Sequence, residues 1–376
     1  ARVLGADRAV VGGDSRVSTA MLEAAFVAGL ATEGVEVHRL GVTPTPAVAF
    51  EAARLPAMGA VISASHNPYH DNGIKLFAIG GTKLPDDVES AIEAELVALG
   101  PPMAQPGVVH GRGTTAEGYV EHLLAALEGR RLDGLRVVVD AANGAASHLV
   151  GDVVQRTGAQ AVVVHAEPNG TNINDGCGAT DPASLQALVP AERAHVGIAL
   201  DGDADRLIAV DERGDVVDGD HIIAICAADL RERGRLRDDT VVVTVMTNLG
   251  FRLAMEAAGI EVVETPVGDR YVLEALAAGG YSLGGEQSGH VIFAEHATTG
   301  DGLLTALVLL DIVQRSGRPL SELAASSMTQ LPQVLLNVEV AERRADIADA
   351  LRTDIDRWQE WLGASGRVLV RPSGTE

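Results

Sequence analysis

Ser65, His66, Asn67 and Pro68 set a hydroxyl beside an imidazole on a turn that proline stiffens. Pro68 fixes its own φ and biases Asn67 toward extended backbone. The apolar run at residues 59–62 predicts a buried strand just upstream. A hydroxyl at the carboxyl end of such a strand sits where α/β proteins place chemistry, although a plain turn has the same composition. A second segment, Asp201-Gly-Asp-Ala-Asp-Arg206, gathers three carboxylates between two strand-like runs. Clustered carboxylates repel one another unless a cation lies among them, and hard oxygen ligands select Mg2+ or Ca2+. An EF-hand does not account for it, because Arg206 stands where that loop needs glycine.

Two further segments suit a polar ligand. Gly284-Gly-Glu-Gln-Ser-Gly-His290 offers Glu286, Ser288 and His290 on a backbone that its glycines open to close approach. Arg371-Pro-Ser-Gly-Thr-Glu376 combines Arg371, Ser373, Gly374 and Thr375, the composition of a phosphate cradle. Arg270 adds a cation nearby in sequence to the first of these, and a surface role fits it equally. The turn at residues 298–302 predicts a helix cap. Of 29 basic residues only two are lysines, Lys75 and Lys83, and both follow Ser65 closely. Lysine can give up a proton where arginine cannot, which singles out Lys75 as a proton-transfer candidate.

These residues must be held by regular elements, and one pattern recurs three times. Residues 8–16, 135–144 and 240–250 each run from valine-rich apolar sequence into small polar residues, then into a helical pattern. Continuous valine runs suit parallel strands covered on both faces. The expectation is three successive α/β domains of related topology with parallel or mixed sheets, at 1–130, 131–218 and 219–332. A smaller α+β C-terminal domain follows at 333–376, with strands at 334–340 and 367–370 flanking a helix at 345–362. Residues 100–113 read as an irregular connection. Trp358 and Trp361 read as core or interface residues of the last helix.

The formal net charge of −23 argues against a nucleic-acid partner. Two cysteines are too few for a disulfide framework and lack metal-ligand spacing, which points to a reducing, cytoplasmic setting. No apolar run approaches the roughly 18 residues of a membrane span.

With these motifs in place, the chain resembles the α-D-phosphohexomutase family along nearly its whole length. Ser-Ala-Ser-His-Asn-Pro matches the family's phosphoserine loop, Asp-Gly-Asp-Ala-Asp-Arg its metal loop, Gly-Glu-Gln-Ser-Gly-His its sugar loop and Arg-Pro-Ser-Gly-Thr-Glu its phosphate loop. Gln287, residues 298–302 and Asn174-Asp-Gly-Cys-Gly178 favour the glucosamine branch over the mannose and glucose branches. The resemblance implies four domains around a central cleft. It implies that phospho-Ser65 interconverts glucosamine 6-phosphate and glucosamine 1-phosphate through glucosamine 1,6-bisphosphate, feeding UDP-N-acetylglucosamine and cell-wall synthesis. One Mg2+ per chain would sit on Asp201, Asp203, Asp205 and the Ser65 phosphate. Lys75 or His66 would move the proton. Arg206, Arg270, Glu286, Ser288, His290, Arg371, Ser373, Gly374 and Thr375 would bind the phosphosugar. A homodimer is implied by similarity. The family usually carries Arg where this chain has Gly13, begins earlier with a Gly-Thr-Asp-Gly-x-Arg loop, and continues past Glu376; both natural ends are expected to lie outside these residues. A Mg2+-dependent sugar phosphatase and a silent phosphosugar-binding protein are the rival readings.

Overall fold

The structure is a computed structural model and describes residues 1–98, 105–111, 116–340 and 346–372. The first unit contains β1 (Arg8–Gly13), α1 (Thr19–Thr32), β2 (Glu36–Val42), α2 (Thr45–Arg54), β3 (Met58–Ile62), β4 (Ile74–Phe77), α3 (Asp86–Val97) and β5 (Val109–His110). The second contains α4 (Ala116–Ala125), β6 (Arg136–Asp140), α5 (Val150–Arg156), β7 (Gln160–Val164), α6 (Ala183–Ala191), β8 (Val196–Leu200), β9 (Leu207–Asp211) and β10 (Val216–Val217). The third contains α7 (Gly219–Glu232), β11 (Thr240–Thr244), α8 (Leu249–Ala258), β12 (Glu261–Thr265), α9 (Asp269–Gly279), β13 (Leu283–Gly285), β14 (Val291–Phe293), α10 (Gly302–Ser316) and α11 (Leu320–Ser327).

The three mixed sheets share one plan. Their strand orders are β4-β3-β1-β2-β5, β10-β9-β8-β6-β7 and β12-β11-β13-β14. In each, the first strand lies between two parallel neighbours, and the third strand turns back on itself as an antiparallel hairpin. Val137–Val139 and Val241–Val243 are fully buried, as strands covered on both faces must be. Each such side chain contributes about 1.5–3 kcal/mol relative to exposure.

Local chemistry fixes the helix ends. Asn248 caps α8 by accepting from the Gly250 N–H, and Gly259 closes it at φ 65. Asp301 caps α10 by accepting from the Leu304 N–H, so the turn at 298–302 is the expected cap. The largely buried α10 packs on α4, α7, β8 and β9, and one continuous core joins the second and third units. The first unit brings two smaller cores of its own.

Residues 105–111 supply β5, which extends the first sheet where an irregular connection was expected. Neither strand expected at 334–340 or 367–370 forms a ladder. Alternating hydrophobicity gives a strand only where a partner edge is available. The helix between them forms as α12 (Ile347–Ala350) and α13 (Arg352–Leu362). Trp358 and Trp361 meet edge to face at 5.9 Å but are 49% and 76% exposed, so neither is a core residue here. Arg367 docks this segment on the third unit, donating to the carbonyls of Val245 (2.7 Å) and Thr247 (2.8 Å).

Candidate active site

Three of the four sequence motifs occupy equivalent places in the repeated plan. Residues 63–73 join β3 to β4, residues 201–206 join β8 to β9, and residues 286–290 join β13 to β14. Each is the hairpin at the carboxyl end of its unit's third strand. The fold thus turns three distant sequence loops toward one another.

Ser65 donates from Oγ to Asp201 Oδ2 at 2.6 Å, and His66 Nδ1 lies 3.3 Å from the same hydroxyl. Ser65 is buried, while His66 stands exposed beside it. The Ser65 backbone is left-handed, with φ 50. A non-glycine residue holds that conformation only where its surroundings over-determine it. Arg16 does so from β1's outgoing turn. Its side chain is fully buried and uses all five N–H donors. Nε donates to Asp14 Oδ2 (2.8 Å), Nη1 to the carbonyls of Pro68 and Asp71, and Nη2 to those of Ser65 (2.9 Å) and Asn67 (2.8 Å). Asp14 also accepts from Thr19 and Ser63, and the Ser63 hydroxyl accepts from the Ser65 N–H. From the second unit, Asn174 Nδ2 donates to the Ser65 carbonyl at 2.9 Å. Gly202 lets this approach happen: a Cβ there would lie 2.5 Å from the Ser65 carbonyl oxygen.

Asp201, Asp203 and Asp205 are buried, and an oxygen from each lies within 4.8 Å of the others. Lys75 Nζ donates to Asp203 Oδ2 (2.7 Å) and Asp205 Oδ2 (3.3 Å). Thr45 Oγ1 donates to Asp203 Oδ2 (2.6 Å), and the Arg206 N–H donates to Asp201 Oδ1 (3.1 Å). Burial, then the charges of Asp205 and Asp203, push Asp201 well above the usual carboxylate range. Burial also opposes ionisation of Asp205, but the charges of Lys75 and Arg206 hold it below its ordinary value. Burial pulls Lys75 down, yet Asp203 and Asp205 outweigh it and keep the ammonium charged. Asp203 Oδ1 and Asp205 Oδ1 are buried with no hydrogen-bond partner. Buried carboxylate oxygens left without donors are what a hard cation would complete, so the residues present fit Mg2+.

The sugar-loop residues face this cluster from the third unit. The Leu207 N–H donates to the Gly289 carbonyl at 3.0 Å, which seats the loop on the strand leaving the carboxylates. Glu286 accepts from the Gly268 N–H (3.1 Å), and its charge acts on Arg206, Lys83 and His290. His290 is buried and lowered to about 4, chiefly by burial, so its ring is neutral. Ser288 is exposed. Lys83 pairs with Asp269 across the first and third units. Arg270 is taken up by Asp86 and Glu89 of α3. Its place in sequence beside the sugar loop gave no sign of that acidic helix. Arg371 is exposed, while Ser373, Gly374 and Thr375 lie outside the described residues.

Sequence reasoning missed Arg16, Asp14, Thr45 and the structural part of Asn174. The first two sit in the polar turn after β1, a position that pointed to function without naming a partner.

The family models for phosphoglucomutase/phosphomannomutase α/β/α domains I, II and III match residues 1–100, 117–214 and 218–331. A phosphoglucosamine mutase of Frankia alni is 58% identical over 374 residues, covering 98% of this chain and 81% of the relative. One from Salinispora tropica is 54% identical over 376 residues, covering 98% and 83%. The crystal structure of a phosphoglucomutase/phosphomannomutase family protein from Burkholderia thailandensis superposes with a TM-score of 0.78 at 27% identity, covering 94% of this chain and 77% of that one. With its buried serine loop, carboxylate cluster and glycine-rich loop on three copies of one plan, the chain belongs to the phosphoglucomutase/phosphomannomutase family, the α-D-phosphohexomutases.

Proposed function

We propose that this enzyme is an isomerase that interconverts glucosamine 6-phosphate and glucosamine 1-phosphate, supplying amino sugar for cell-wall precursors. The observation that carries the chemistry is the Ser65 hydroxyl bonded to Asp201 within the carboxylate cluster. The preference for the amino sugar rests on the likeness to relatives named phosphoglucosamine mutase. The same reading divides the chain at 1–130, 131–218, 219–332 and 333–376; α4, which falls inside the first of these spans, packs on α5 and α10 as well as on α2 and so sits at the junction of the first two.

In the first half-reaction the Ser65 Oγ–P bond breaks as a P–O bond forms to the free sugar hydroxyl, whose proton leaves to a base. The product is glucosamine 1,6-bisphosphate, which reorients. Its other phosphoryl group then returns to Ser65 Oγ, and the proton goes back to the sugar oxygen left behind. Phosphoryl transfer depends on positioning and charge neutralisation. Asp201, Asp203 and Asp205 would hold Mg2+, which when bound supplies charge neutralisation at the transferring group. Lys75, an ammonium held by Asp203 and Asp205, is the first proton-transfer residue to test, with His66, 3.3 Å from the Ser65 hydroxyl, as the other. The carboxylates that keep Lys75 charged are those that would hold a cation, and a cation there would compete for them and ease release of the Lys75 proton. Glu286 and Ser288 would take the sugar hydroxyls, with His290 packed behind them and Arg206 near the phosphate. Arg371, Ser373, Gly374 and Thr375 would hold the phosphate that is not reacting. Arg270 would reach it only by leaving Asp86.

The deciding experiment uses Ser65→Ala with glucosamine 6-phosphate, Mg2+ and the bisphosphate supplied. Turnover should vanish, and intact mass should show phosphate on the wild-type chain alone. Mutase turnover in Ser65→Ala near the wild-type rate, or release of free phosphate in place of the 1-phosphate, would sink the reading.

A further inference from the structure

The carboxyl ends of β6 and β7 carry a second cluster that the phosphoryl chemistry does not use. Asp140 ends β6, His165 follows β7, and Cys177 lies on the segment between β7 and α6. One ligand atom from each lies within 4.8 Å of the other two. Asp140 and Cys177 are fully buried, and His165 is partly exposed. His165 Nδ1 is 3.0 Å from Asp140 Oδ2, yet it is buried and makes no hydrogen bond. The Asp140 oxygens instead accept from the N–H groups of Ala142 and Gly178, each at 2.9 Å. Those bonds fix the carboxylate and leave a lone pair on each oxygen. Cys177 Sγ has only a long contact, 3.9 Å, from Asn143 Nδ2. The three side chains are therefore held by the backbone around them and converge with one ion-pair contact, His165 to Asp140, and no hydrogen bond among them. Ala142, Asn143 and His165 all adopt left-handed backbone, with φ 53, 47 and 47. Strain of this kind persists where surrounding structure imposes it, and it gathers at sites.

We propose that Asp140, His165 and Cys177 form a site for a thiophilic divalent cation of the Zn2+ class, distinct from the hard-oxygen site at Asp201, Asp203 and Asp205. A thiolate, an imidazole and a carboxylate are zinc's own donor types, whereas Mg2+ prefers oxygen alone. Three protein ligands leave one position open on the side where His165 meets solvent. Binding forms the metal–sulfur bond and sends the Cys177 thiol proton to solvent. The site also reaches the serine loop. Asn174, three residues before Cys177, holds the carbonyls of Ser65 and Asn67, and Asn143 accepts the Ser15 hydroxyl on its carbonyl. Occupancy would thus stiffen the segment that grips Ser65.

Co2+ is the probe. Reduced full chain, saturated with Mg2+ and titrated with Co2+, should develop a sulfur-to-cobalt charge-transfer band that saturates at one equivalent. Oxygen ligands cannot produce that band. Cys177→Ser should remove it. His165→Asn keeps a residue that tolerates left-handed backbone and should weaken Co2+ binding at least about tenfold, no less than loss of an outer-shell partner does. A missing band at one equivalent, or a band that survives in Cys177→Ser on the other buried cysteine, overturns the assignment. If Cys177→Ser does not fold, His165→Asn decides alone, and unweakened binding overturns it.

Discussion

Replacing Arg16 by lysine keeps the charge and removes the fork. The guanidinium places five N–H groups on Asp14 and on the carbonyls of Ser65, Asn67, Pro68 and Asp71. A lysine ammonium has three donors, so at least two of these five hydrogen bonds are lost. Each costs about 0.5–1.5 kcal/mol, which sets about 1–3 kcal/mol against the present loop conformation. That loop already holds Ser65 at φ 50. With its grip weakened, the hydroxyl drifts from Asp201, and a shift of about 1 Å at a reacting group costs on the order of 100-fold in rate. Arg16→Lys should therefore lose about 100-fold in kcat. KM should change little, because the residues assigned to the sugar lie on the third unit. The assay is steady-state formation of glucosamine 1-phosphate with bisphosphate present, beside thermal unfolding to show that the variant is folded. An unchanged kcat in a folded Arg16→Lys enzyme would refute the argument that this arginine positions the serine. A loss confined to KM would refute it equally.

Gly202→Ala would push a Cβ to 2.5 Å from the Ser65 carbonyl oxygen and 2.8 Å from Asn174 Nδ2, so kcat should fall at a stability cost of about 1–3 kcal/mol. Wild-type kinetics in that variant would show that the two loops need not touch. Lys75→Arg keeps the cation but not a removable proton, and should lose at least about 100-fold in kcat; full turnover would assign Lys75 a purely electrostatic part. Asp220 is raised to about 7, chiefly by burial, against an ordinary value of 3.8. The raised value favours folding below pH 3.8, and that advantage is lost as pH rises toward 7. Asp220→Asn should therefore raise the melting temperature at pH 8 and do progressively less toward pH 4. A benefit independent of pH would refute the assignment of that raised value to Asp220.

Much of the fold was legible because it is written in local pattern. The valine runs at 137–139 and 241–243 can only be strands covered on both faces, and they are. The serine, carboxylate and sugar loops were legible because several polar groups fall within a few residues of one another. Arg16 was not, because four of its five acceptors lie 49 to 55 residues further along the chain. Nothing in the sequence near it reveals four carbonyl oxygens waiting at that point. The partners of Arg270 were hidden in the same way: its nearest sequence motif is the glycine-rich loop at 284–290, but they come from α3, more than 180 residues earlier. The strands expected at 334–340 and 367–370 carried the right alternation, but pairing is a property of two segments.

The grip on the serine loop has a consequence for the order in which the enzyme is made. Arg16 and the rest of the first unit leave the ribosome together with Ser65. Asp201, which receives the Ser65 hydroxyl, is translated 136 residues later, and Asn174 109 residues later. Units of a multidomain chain generally fold as they emerge, the N-terminal one first. The nascent first unit therefore presents a shaped serine with no carboxylate cluster above it. Activation by phosphate becomes a post-translational event, timed by completion of the second unit, and each new chain passes through an interval as a folded but uncharged precursor.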